Sequence, residues 1–113
     1  NPRDVISRLE TMVMMAGMEL PEKAIREQIA SAINIIVQQS RLRDGSRKIV
    51  QITEVTGMEG TEVVMQDIFR FTSNGIDENG KIKGHFEATG VRPNCIEKLK
   101  STGINVKDDW FTR

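Results

Sequence analysis

Residues 33–55 read INIIVQQSRLRDGSRKIVQITEV, and across them the spacing of apolar residues changes from helical to alternating around one basic turn. Upstream, Ile25, Ile29, Ala32, Ile33, Ile36 and Val37 form a single stripe at helical spacing. That stripe predicts an amphipathic helix opening at Leu20-Pro21-Glu22 and running without a break into the turn. Downstream of Gly45, residues 48–56 are β-branched and roughly alternating, which predicts a strand. Between the two, Arg41, Arg43, Arg47 and Lys48 crowd around Asp44-Gly45, placing several cations at a helix C-terminus and at the mouth of a sheet. Such a chain is confined to architectures that mix helix with sheet.

The flanking segments carry their own signals. Asn1 suits an N-cap, Pro2 the first helical position and Asp4 the first turn. Val5, Leu9, Met12, Val13 and Ala16 continue at helical spacing, and Gly17 is a stop. On the second helix Glu22/Arg26 and Lys23/Glu27 make i,i+4 pairs away from the apolar stripe. Residues 62–71 repeat strand character after the turn Gly57-Met58-Glu59-Gly60, so the two strands read as an antiparallel hairpin. A further turn region, residues 72–80, holds Asn74-Gly75 and Asn79-Gly80, and residues 82–88 read as a third strand. Gly90-Val91-Arg92-Pro93 opens a short helix over residues 94–100, stopped by Gly103, and the tail 106–113 adds a turn with Asp108 and Asp109 near its start. The expected fold is α+β: a helical pair over residues 1–44, an antiparallel hairpin or meander over 45–90, and a short helix and tail over 91–113.

Length and charge bound the function. With 113 residues the chain is one domain at most. Lys and Arg total 16 and so do Asp and Glu, so the zero net charge opposes broad attraction to nucleic acid or an acidic membrane. Only a local cluster could provide such binding. The single cysteine, Cys95, permits no internal disulfide and no metal-ligand spacing, which points to a reducing compartment. No apolar run approaches the roughly 20 residues that span a bilayer. The chain starts at Asn1-Pro2-Arg3 without Met, which reads as a piece of a longer cytoplasmic protein.

Candidate chemistry centres on the arginine turn. Guanidinium groups suit phosphate through bidentate, charge-assisted hydrogen bonds. The same side chains could equally cap helix carbonyls and pair with Asp44. Glu54, Glu59, Glu62 and Asp67 flank the hairpin, but acid–base catalysis needs two carboxyls converging with separated pKa values, and their spacing does not demand that. His85 has no partner at motif spacing; Cys95 opens a helix, where a thiol pKa can fall, but lacks an evident base. Met12, Met14, Met15, Met18, Met58 and Met65 read as gap-filling core or a repackable interface. Phosphate-binding glycine loops, H-E-x-x-H and C-x-x-C are all missing from the sequence.

The string PRDVISRLETMVMMAGMELPEKAIREQIASAINIIVQQSRLRDGSRKIVQITEVTGMEG, residues 2–60, closely resembles the C-terminal part of Flp/Tad-type pilus-assembly ATPases, within the type II/type IV secretion ATPase superfamily. The resemblance continues through Met65-Gln66-Asp67-Ile68-Phe69-Arg70-Phe71 and through Ala88-Thr89-Gly90-Val91-Arg92-Pro93; residues 72–83 and the tail after Thr102 are less diagnostic. It implies a parent that is a cytoplasmic, hexameric ATPase with a RecA-like core, peripheral to the inner membrane and working with membrane-embedded platform proteins to move pilins or secreted protein. In that family the P-loop, the acidic boxes and the His box precede the segment present here. ATP and Mg are therefore implied for the parent, with neither expected on this chain, and no catalytic residue carries over. Arg41, Arg43 and Arg47 are implied at most as contacts to nucleotide or to a neighbouring subunit. The alternative is a self-contained partner-binding module without catalysis, and a nucleic-acid role is opposed by the charge balance and few aromatics. A sheet cut from a larger domain also exposes an edge and an apolar face, so self-association through the strands is expected.

Overall fold

The first helix, α1, spans Pro2–Met15 and starts where the sequence places it. Asn1 Oδ1 accepts the Asp4 N–H at 3.0 Å, and the Asp4 side chain reaches back to the cap, so both ends of a capping box are present. This computed structural model describes residues 1–17 and 19–113. Met18, one of the methionines read as core filler or interface, lies outside the described residues.

The second helix, α2, spans only Glu22–Ala32. The expected run of helix into the arginine turn is corrected here: residues Ile35–Arg41 form a strand, β1, so residues 1–44 are not simply a helical pair. The physical reason lies in the run Ile33, Ile35, Ile36, Val37. β-Branched side chains lose χ1 freedom in a helix and pack well on a pleated surface. Spacing of i, i+3 and i+4 from Ile29 to Ile33 and Ile36 fitted helix, yet Ile36 is buried while its neighbours Ile35 and Val37 are exposed, a period of two.

Three further strands complete one antiparallel sheet: β2 at Arg47–Glu59, β3 at Glu62–Ile76 and β4 at Ile82–Ala88. The order β1-β2-β3-β4 is a plain meander, so the α+β class holds with one strand more than the sequence suggested. The β2–β3 turn is tighter than read, because Gly57, Met58 and Glu59 belong to β2 and Glu59 pairs Glu62 across Gly60-Thr61. Asn74-Gly75 is not a turn either. Gly75, at φ 114°, marks a shift of register in the β3–β4 ladder, and the chain reverses instead beyond Ile76, where Asp77 Oδ1 accepts the N–H groups of Asn79 and Lys81. A short helix, α3, spans Cys95–Ser101, and a 3₁₀ turn covers Asp108–Phe111.

Helices cover the sheet from both sides. On one face Ile6, Ile25 and Ile29 of α1 and α2 pack with Ile36, Val55 and Val63, supported by Leu9, Val13, Met58 and Met65. Met58 and Met65 are thus filler, whereas Met12, Met14 and Met15 are exposed. Ile68 and Ile96 are buried as fully as the helix-side core, and Phe69 stacks on Phe86 and meets Phe111. Arg26 ties three elements together: it pairs with Glu10 on α1 and Glu22 on its own helix, and donates to the Thr61 carbonyl in the β2–β3 turn at 3.0 Å. The i,i+4 spacing found the Glu22 pair but could not show the other two.

Ile25 is 2% exposed and Met15 82%. Ile25→Ala is expected to lower unfolding free energy by about 2–5 kcal/mol, while Met15→Ala stays within about 0.5 kcal/mol of the starting chain. Urea denaturation of both variants checks this, and equal effects would contradict the packing.

Candidate functional site

The arginine turn is the tip of the β1–β2 hairpin rather than the end of a helix, since α2 stops well before it. Leu42 N–H donates to the Ser46 carbonyl at 2.8 Å and Gly45 N–H to the Leu42 carbonyl at 2.9 Å, closing a tight loop. Gly45 sits at φ 86°, a conformation that an L side chain rarely adopts.

Asp44 does not pair with the arginines. Its Oδ1 accepts from Ser46 Oγ at 2.6 Å and Ser46 N–H at 2.9 Å, and its Oδ2 accepts from the Ile82 N–H at 2.8 Å. The Ser46 hydroxyl, then the Ile82 and Ser46 amides, hold the Asp44 carboxyl well below the usual carboxylate range, aided by the charge of Lys81. The loop between β1 and β2 is thereby fastened to the first residue of β4.

Arg41 and Arg47 lie directly opposite each other in the β1–β2 ladder. Opposed residues of an antiparallel pair share a face, and like charges so placed repel. Arg41, Arg43 and Arg47 are all exposed, and among the described residues neither they nor Lys48 form an ion pair. The register brings Arg41 and Arg47 to one face, puts Lys48 with Ser40 on the other, and leaves Arg43 on the loop. What the tip can do chemically is attract an anion.

The hairpin carboxylates scatter. Glu59 is exposed at the opposite end of the sheet. Glu62 pairs with Arg3 and Arg26. Asp67 accepts from Thr53 Oγ1 at 2.8 Å and pairs with Arg70 at 2.7 Å; burial pushes its carboxyl up, but Arg70, Thr53 and Gln51 together bring it below the ordinary value.

Glu54 is the surprise, at 3% exposure. Its Oε1 accepts the Asn94 N–H at 2.8 Å and Gln66 Nε2 at 2.9 Å, and its Oε2 accepts the Cys95 N–H at 2.8 Å. A carboxylate from the middle of β2 thus satisfies the free amides that start α3. Burial pushes the Glu54 carboxyl up, yet the amides of Asn94 and Cys95 and the Gln66 side chain outweigh it and leave the group below its ordinary value. Cys95 feels the converse: burial and the adjacent Glu54 carboxylate raise its thiol, opposite to the lowering that a helix start alone would give.

His85 sits on β4 in a surface chain, with Nε2 3.0 Å from Glu87 Oε2, while Thr72 Oγ1 donates to Glu87 Oε1 at 2.7 Å. Hydrogen bonds from Thr72 and then His85 hold Glu87 low. Among the described residues no group of three His, Cys, Asp or Glu could hold a metal ion. Two apolar grooves remain open: one of about 370 Å³ between α1 and α2, lined by Leu9, Met12, Val13, Ile25 and Ile29, and one of about 490 Å³ between β1 and α3, lined by Ile35, Glu54, Thr56, Lys98 and Leu99. Among the described residues no helix is long and apolar enough to cross a membrane.

Because the folded Glu54 carboxyl titrates below its usual value, its stabilisation is full at neutral pH and is lost as pH falls through that depressed value. Glu54→Gln is expected to cost about 1–3 kcal/mol at pH 7 and to flatten the acid limb of stability against pH. Urea midpoints across an acid series check this, and an unchanged midpoint at pH 7 would contradict it. Compared with known proteins, the chain matches no family model, and no curated protein matches it significantly.

Proposed function

We propose that this chain is the C-terminal segment of a hexameric ATPase that powers Flp/Tad-type pilus assembly or type II/IV secretion, and that it is inactive on its own. The ordered resemblance across residues 2–60 carries the reading. Support comes from a sheet whose first strand is a free edge and from apolar surface left open beside it, as fits a part that completes a larger domain. ATP and Mg belong to the parent, held by loops that precede this segment; that chemistry needs phosphate-cradling amides and a metal bridge, which this sequence does not provide. The chain's own part is to supply helices and closing sheet, and to present Arg41, Arg43 and Arg47 to a neighbouring subunit. The setting is the cytoplasmic face of the inner membrane, beside the platform proteins of the machine.

A self-contained partner-binding module is the second reading. Exposed Met12, Met14, Met15 and Trp110 favour it.

The two readings part in the longer parent. Reversing the tip charges, Arg41→Glu with Arg43→Glu and Arg47→Glu, is expected to lower ATP turnover roughly tenfold or more, about 1.4 kcal/mol per decade, together with loss of the hexamer. Intact turnover and assembly, with loss of docking alone, would favour the module. Hydrolysis by the isolated chain at ordinary enzyme rates, on the order of 1 s⁻¹ or above, would overturn the motor reading.

A further inference from the structure

We infer that β1 is a docking edge for an extended segment of another protein whose alternating apolar residues end in carboxylates. β1 closes the sheet on one side, so one row of its backbone N–H and C=O groups has no strand partner. Its ladder with β2 sets Ile35, Val37, Gln39 and Arg41 on one face, opposite Glu54, Ile52, Ile49 and Arg47. Ile35, Val37 and Ile49 are 40%, 54% and 48% exposed, so an apolar stripe runs along the edge and ends at the guanidinium groups of Arg41 and Arg47. At the other end it opens into the groove of about 490 Å³ beside α3.

An added strand would satisfy the free backbone groups and lay alternate side chains on the stripe. Carboxylates at its end would meet Arg41 and Arg47, whose mutual repulsion no ion pair among the described residues relieves. Asp44 cannot serve, because both of its oxygens are taken by Ser46 and Ile82. The same bonds hold the tip in place before a partner arrives, which lowers the ordering cost of binding. The inference does not rest on the motor reading.

Two synthetic peptides with the same alternating Val/Thr body test it, one ending in Glu-Glu and one in Lys-Lys. The acidic peptide is expected to bind at least roughly tenfold more tightly by fluorescence anisotropy, to slow amide exchange in β1 and to leave β4 unchanged. Arg41→Glu with Arg47→Glu should reverse the preference, and Val37→Asp should weaken both peptides; these positions are exposed, and unchanged β4 exchange verifies the fold. Equal affinity for the two peptides overturns the inference. So does binding that leaves β1 exchange unaltered, which would mark simple anion capture at the arginines. Protection of β1 that grows with protein concentration in the absence of peptide would show a second copy on the edge instead, and would overturn it as well.

Discussion

The β2–β3 pair must be covered on both faces, and the rest of the fold follows from that requirement. Thr53, Glu54 and Val55 are consecutive and all buried, which no strand with one wet face can achieve. Val55 is sealed by α1 and α2, which come from the N-terminal side of the chain. Glu54 is sealed by α3, which comes from the C-terminal side and is held by the carboxylate itself. A buried charge is tolerable only when its hydrogen bonds are complete, and here Asn94, Cys95 and Gln66 complete them. The sheet is therefore a spine with helices fastened to it by different means, apolar packing on one face and a charged cap on the other.

Several local structural signals are legible in the sequence. The Asn1-Pro2-Asp4 start, the span Ile82–Ala88 and the helix opening near Cys95 all rest on nearby residues, and each stands where it was read. β1 was missed because Ile29, Ile33 and Ile36 satisfy helical spacing and strand alternation alike over so short a run. The β-branched density of residues 33–37 was the signal that could have decided it. Glu54 was beyond reach for a different reason. A carboxylate in an alternating strand reads as solvent-facing, and its partner amide lies 40 positions away. Pairing with Asp44 is one of the two roles the sequence leaves open to the arginines, but a short side chain in a tight turn finds the Ser46 hydroxyl and amide first. That local capture is what leaves the arginines free.

Consequently the tip combines order with unrelieved charge. Hydrogen bonds from two parts of the chain fix its position, while Arg41 and Arg47 face each other without a carboxylate. A surface arranged for stability alone would set opposite charges there. The motor reading assigns the relief to a neighbouring subunit, whereas the edge-strand inference assigns it to an acidic segment of another protein.

The most direct measurement is the urea midpoint of Arg47→Gln against the starting chain, at low and at high salt. If the opposed guanidinium groups cost stability that only a partner relieves, removing one charge raises the midpoint at low salt, and the gain shrinks as screening increases. A lower midpoint at low salt, or a gain indifferent to salt, would contradict the account.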